Sequence, residues 1–182
     1  MPESPTINGM NDHVLIETFN FKAEAIARRW KNLIRKEPQL KHYNSLSDEQ
    51  LCGLNAPLYP QLARSIERGI DRKIIGSYFV RVGKERMRQG FPVSEVVFAY
   101  NLSQKTAVDF VSSEFVHDNP LALYQAFGAV EKVNEFFFLG CFYLIKGFLE
   151  QVYESMNTSH NVPENLLKTY FKDDFFFKKD TE

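Results

Sequence analysis

The stretch Phe127–Phe148, FGAVEKVNEFFFLGCFYLIKGF, decides the fold class. Phe127, Val130, Asn134, Phe137, Cys141, Leu144 and Phe148 recur at steps of three and four, which places them on one stripe of an α-helix. Phe136, Phe138, Phe142 and Tyr143 make the middle of this helix apolar on nearly every side, so it must be covered on nearly every side. Its most apolar window, Phe136–Ile145, holds ten residues. A membrane span needs about 20, so the run reads as a buried helix rather than a span. Asn119 and Pro120 supply an N-cap and an N1 proline at its start. An end near Met156 makes it roughly 55 Å long at 1.5 Å per residue, so it is expected to bend, to break near Gly140 or Gly147, or to project from the domain.

Working outward, the preceding helix carries Val93, Val97, Tyr100, Gln104, Ala107, Val111 and Phe115 at helical spacing. Before it lies a helix from about Asp71 to Gln89, with Ile75, Tyr78, Phe79 and Val82 as its expected buried face. Gly90 is placed to end that helix as a left-handed C′ residue, and Pro92 follows where the next restarts. Ser47, followed by Asp48, Glu49 and Gln50, has the pattern of a capping box. The helix it opens is expected to break around Pro57 and Pro60 and to end near Gly69. Nearer the start, Phe19, Ala23, Ile26, Trp30 and Leu33 form a further apolar stripe that Pro38 closes. No run alternates as a strand would. The expectation is an all-α bundle of about five helices with a long C-terminal helix. Residues 1–11 read as a mobile leader, 12–157 as a helical sensory or regulatory domain, and 158–182 as a short amphipathic piece with a Phe-rich tail.

Composition excludes several classes. Twenty-two basic against 23 acidic residues leave a formal charge of −1, so no global field recruits nucleic acid or an anionic membrane. The N-terminus has neither the basic flank nor the apolar core of a signal peptide, and the expected location is the cytoplasm. Cys52 and Cys141 form no CxxC and read as buried thiols. Neither a GxGxxG, a GxxxxGK[ST], an HExxH nor a GxSxG occurs, so no catalytic centre and no cofactor is expected.

A few residues stand out against this background. Glu114 and His117 form an ExxH pair, but di-metal bundles use two such pairs plus two further Glu, and no second pair exists. No metal is therefore expected. His13, His42 and His160 fall in or near loops and read as solvated. Arg86, spaced from Phe79 and Val82 so as to turn toward the apolar face, needs an acidic or carbonyl partner and is also a ligand-binding candidate. Gln104 and Asn134 interrupt apolar seams, which predicts either a hydrogen bond between helices or a ligand contact. Trp30 reads as core, with an indole N–H that needs an acceptor. Trp30 and Tyr100 would line any apolar cavity beside the Phe-rich helix. Phe137, Gly140, Leu144, Gly147 and Phe148 are the candidates for a dimer or partner interface. Here Gly140 and Gly147 would let a second backbone approach, and Asn134 would fix register.

Taken together, Trp30, then Leu46-Ser-Asp-Glu-Gln-Leu51, then Gly83-Lys-Glu-Arg86-Met-Arg-Gln-Gly90-Phe-Pro92 and the Val-rich helix after it resemble the N-terminal helical domain of RsbRD-type co-antagonists. The resemblance spans about residues 15–115, and the long last helix matches in character only. The break at Pro57 and Pro60 departs from the family's more continuous helix. The resemblance implies a sensory or regulatory module of stress signalling, joined in the family to a STAS or other output domain. With no such output in this sequence, the reading is a non-enzymatic module acting on a separate protein partner, with a small apolar ligand as a candidate regulator and a homodimer as a candidate assembly. Two alternatives stay open: a small-molecule-binding protein with an apolar cavity, and a metal- or haem-binding protein using His117.

Overall fold

A computed structural model describes residues 7–115 and 120–158, with side chains described for 12–113 and 127–158. His117, His160 and the Phe-rich tail lie outside the described residues. Among the described residues the chain is all-α, in eight helical segments and without strands. Contacts divide it into two compact units, residues 1–71 with 98–138 and residues 72–97 with 139–182.

The first unit contains α1 (Ile7–Phe21), α2 (Ala23–Ile34), α3 (Lys41–Asn44), α4 (Asp48–Asn55) and α5 (Leu58–Arg68). It also takes most of α7 (Val93–Phe115) and the first half of α8 (Pro120–Thr158). The first helix of the sequence reading is two helices, divided at Lys22, whose backbone leaves the helical basin at φ −104° and ψ 11°. Hydrogen bonds still cross the joint, from Lys22 N–H to the Thr18 carbonyl and from Ile26 N–H to that of Lys22. The chain therefore bends there without unravelling. α1 starts at Ile7, inside the stretch read as a leader, and is anchored by the buried Leu15 and Phe19. It packs chiefly on α5, where Phe19 stacks on Tyr59 with ring centroids 6.2 Å apart, and α2 packs on α4.

Local chemistry sets the helix ends where the sequence places them. Ser47 Oγ accepts from Gln50 N–H at 3.2 Å while Gln50 Oε1 accepts from Ser47 N–H at 2.8 Å, a complete capping box. Pro57 precedes α5, and α5 ends at Gly69, whose φ is +80°.

The second unit contains α6 (Arg72–Arg88), the first turn of α7 and the C-terminal half of α8. Gly90 has φ +80°, its N–H donates to the Met87 carbonyl, and Phe91 N–H donates to the Arg86 carbonyl, both at 3.0 Å. These are the two bonds of a Schellman motif, which only a residue tolerant of positive φ completes without strain.

Candidate functional site

Each unit has its own concentration of polar side chains inside apolar surroundings. In the first unit, Trp30 Nε1 donates to the Ala99 carbonyl at 2.8 Å, and Ser103 Oγ donates to the same oxygen at 3.1 Å. Ser103 in turn accepts from Asn55 Nδ2 at 2.8 Å, and Asn55 Oδ1 accepts from the Tyr59 hydroxyl at 2.8 Å. One chain of hydrogen bonds thus ties α2, α7, α4 and α5 together. Its members are buried, and each of these polar groups has a partner, the condition under which a buried network is stabilising. Burial raises the Tyr59 pKa far above the phenol range despite its bond to Asn55, so the hydroxyl stays protonated and serves as a donor. The chain of bonds moves no proton and exposes no nucleophile; chemically it holds four helices in register.

Beside it, the Tyr100 hydroxyl donates to the Phe137 carbonyl at 3.0 Å, so this tyrosine is tied to α8. Gln104 Nε2 donates to Asn134 Oδ1 at 3.0 Å, the bond between helices that the two seam amides predict. The bond is at the surface, with Asn134 exposed, not inside the core as the seam placed it. The cause is helical drift. A straight helix slips about 20° per heptad against a seven-residue repeat. Followed back from Phe148 over three heptads, the seam rotates by roughly 60°. Phe127 is accordingly 66% exposed, and the buried line runs through Ala129, Val133, Phe136 and Phe137 instead.

In the second unit, α6 and α8 cross at two glycines. A Cβ on Gly83 would lie 2.1 Å from the Leu144 carbonyl oxygen and 2.8 Å from Phe148 N. One on Gly147 would lie 2.2 Å from the Val80 carbonyl oxygen. This corrects the interface reading of Phe137, Gly140, Leu144, Gly147 and Phe148. All five are buried within the chain, and the backbone that Gly147 admits is that of α6, not of a second molecule. The same crossing rotates α6: Gly76, Val80 and Gly83 are buried while Tyr78 and Val82 are only half-buried. Ile75 and Phe79 are buried as the sequence predicts, and the buried face is shifted from Tyr78 and Val82 toward the glycines, which carry little weight in a hydropathy pattern.

Next to the crossing, Lys84 Nζ sits 3.1 Å from Glu150 Oε2 and 2.9 Å from Glu154 Oε1. Burial works to lower the Lys84 pKa, but the bonds to Glu154 and Glu150 outweigh it and the net shift is upward. Sequence reasoning did not single out this trio, although Glu150 and Glu154 are one turn apart and α6 is basic. Asn55, Ser103 and Tyr59 were missed as well, since nothing in their spacing marks them.

Arg86 is buried near the end of α6. Its Nη1 donates to Gln89 Oε1 at 2.9 Å and its guanidinium carbon lies 5.5 Å from the centroid of the Phe91 ring. The amide carbonyl satisfies one of the guanidinium nitrogens. Trp30, Tyr100, Gln104 and Asn134 all lie in the first unit, whereas Arg86 belongs to the second.

Apolar side chains also remain outside: Phe138 is 75%, Phe142 54% and Leu149 45% exposed, all on α8. Over Phe127–Thr158 this helix is long and apolar enough by composition to cross a membrane, although the sequence run suggested otherwise. Its other face is nevertheless core, with Phe137 bonded to Tyr100 and Gly147 against Val80. Among the described residues no three His, Cys, Asp or Glu side chains gather as metal ligands would, and Glu114 and His117 are outside that set. Cys141 has its thiol pKa raised by burial.

Residues 24–140 match the family model described as the RsbT co-antagonist protein rsbRD N-terminal domain. No curated protein and no solved structure matches the chain.

Proposed function

The chain belongs to the family of RsbT co-antagonist RsbRD N-terminal domains, and from that premise we propose a non-enzymatic sensory or regulatory module of stress signalling that works by contact with another protein. The family is one of regulatory signalling domains rather than of enzymes. The observation that carries the contact reading is the exposed aromatic side of α8. Phe138, Phe142 and Leu149 follow one another at steps of four and seven, so they share one side of the helix. Side chains this large and apolar, set together on a surface, favour a protein neighbour over water. A homodimer would use this side, not the buried seam. The setting is the cytoplasm, with α8 serving as a core helix.

An apolar ligand among Trp30, Tyr100 and α8 has less support. The indole N–H and the phenol of these two residues are already engaged with main-chain carbonyls, and their rings are buried in the packed core. Sedimentation velocity of the full chain at rising micromolar concentration tests the contact reading. We expect reversible association that the double substitution Phe138→Asp, Phe142→Asp abolishes while far-UV circular dichroism stays unchanged. A chain that remains monomeric and soluble throughout would remove self-association. Unaltered association in the double variant would remove this side of α8 as the contact.

A further inference from the structure

Among the described residues Arg86 is a buried cation without an anion. It is 9% exposed, yet among the described residues no carboxylate lies within ion-pair distance of it. The other shielded cations differ: Lys31 and Arg35 hold Asp48, and Lys84 holds Glu150 and Glu154. Glu85, the closest acid in sequence, is engaged elsewhere. It pairs with Arg88 at 3.7 Å and accepts from Gln89 Nε2 at 2.8 Å. Gln89 thus passes a bond from Arg86 to Glu85 but brings no charge to the guanidinium.

A guanidinium has five N–H donors in a planar fork, and the amide of Gln89 takes one nitrogen's bond. Among the described residues the one sealed side-chain polar atom without a partner is Gln151 Oε1. No Arg86 nitrogen is among the sealed, unbonded polar atoms of the described residues. The Phe91 ring lies against the guanidinium, and Arg81 is a second cation on the same helix.

We infer that Arg86 is the anchor of a small-oxyanion site at the C-terminal end of α6, taking a phosphate-like or carboxylate ion whose paired oxygens match the guanidinium fork. Two parallel charge-assisted hydrogen bonds on one planar cation provide both the affinity and the shape selection. The ion would bind beside the Gly90–Phe91 turn, because the Arg86 carbonyl receives the Phe91 N–H of that turn. It would therefore stiffen the connection between α6 and α7. The inference deepens the regulatory reading by naming the chemistry of an effector.

The test is a titration of the full chain with inorganic phosphate and, separately, with acetate, sodium chloride holding ionic strength constant. The expected result is a saturable shift of the Arg86 Nε–H resonance, with a melting midpoint that rises over the same range. Saturation by phosphate alone, or by acetate alone, identifies which oxyanion the site takes. Arg86→Gln should weaken the response at least tenfold, whereas Arg88→Gln should keep it. A linear drift with both salts, or an equal response in Arg86→Gln, overturns the inference. Should Arg86→Gln fail to fold, Arg86→Lys keeps the charge without the fork, and the wild-type resonance decides alone. Self-association is measured independently, so a chain that associates but ignores oxyanions overturns only the anion site.

Discussion

Gly83→Ala is normally a stabilising change inside a helix, since alanine is favoured over glycine by about 1 kcal/mol. At the α6–α8 crossing the opposite outcome is expected. The new methyl group would stand 2.1 Å from the Leu144 carbonyl oxygen, 2.8 Å from Phe148 N and 3.1 Å from the Leu144 carbonyl carbon. All three are backbone atoms, so no rotamer change relieves them and the helices must separate by about 1 Å. Forcing an extra carbon into a packed interface costs about 1–3 kcal/mol, and a gap of ~1 Å forfeits up to half of each dispersion contact along the seam. The penalty exceeds the propensity gain, leaving a net loss of about 1–2 kcal/mol. For a chain of this size that corresponds to a fall of roughly 2–8 °C in melting midpoint. Gly147→Ala should behave alike, because its β-carbon would meet three atoms of the Val80 backbone at 2.2–2.7 Å. Gly53→Ala in α4 is the control: nothing lies within 4 Å of its β-carbon, so it should raise the midpoint by a degree or more. Thermal melts followed by far-UV circular dichroism compare the three variants. A Gly83→Ala protein stabilised as much as Gly53→Ala would show that the close crossing does not form.

Two other perturbations address separate features. Gly90→Val places a branched side chain at φ +80° in the Schellman turn and should destabilise by at least about 1–2 kcal/mol, measured by urea unfolding; equal tolerance of valine would mean that α6 ends elsewhere. Lys84→Met removes the cation that Glu154 and the buried Glu150 share and should destabilise by about 1–3 kcal/mol, with part recovered by adding Glu150→Gln in a double-mutant cycle. Because the Lys84 pKa is raised on folding, its contribution is complete below the ordinary lysine value of 10.5 and disappears as pH rises through the folded value. Stability of the wild type should thus fall at strongly alkaline pH more steeply than that of Lys84→Met, and parallel curves would remove the pair as a source of stability.

Features that depend on a few neighbouring residues were legible from the sequence alone. The Ser47–Gln50 capping box, the break at Pro57 and the turn at Gly90 all follow from backbone chemistry acting within about five positions, whereas the last helix, for which a break near Gly140 or Gly147 was an open alternative, runs unbroken. The all-α class and the resemblance carried by Gly83 to Pro92 were legible for the same reason. Which side of each helix meets the core was decided only by tertiary packing. Gly83 and Gly147 draw two backbones together because they lack side chains, and a hydropathy pattern gives such residues no weight. The Phe127–Phe148 seam looked like a single interface because seven-residue spacing ignores the drift of a straight helix, which turns Phe127 outward while Phe148 stays buried. Trp30, Asn55, Tyr59 and Ser103 are scattered over 74 positions, and only folding makes them neighbours along one line of hydrogen bonds. The separation of Arg86 from the carboxylates of the described residues was equally invisible. Glu85 stands beside it in the chain, but successive residues on a helix point about 100° apart, and that turn directs Glu85 to Gln89 and Arg88 instead.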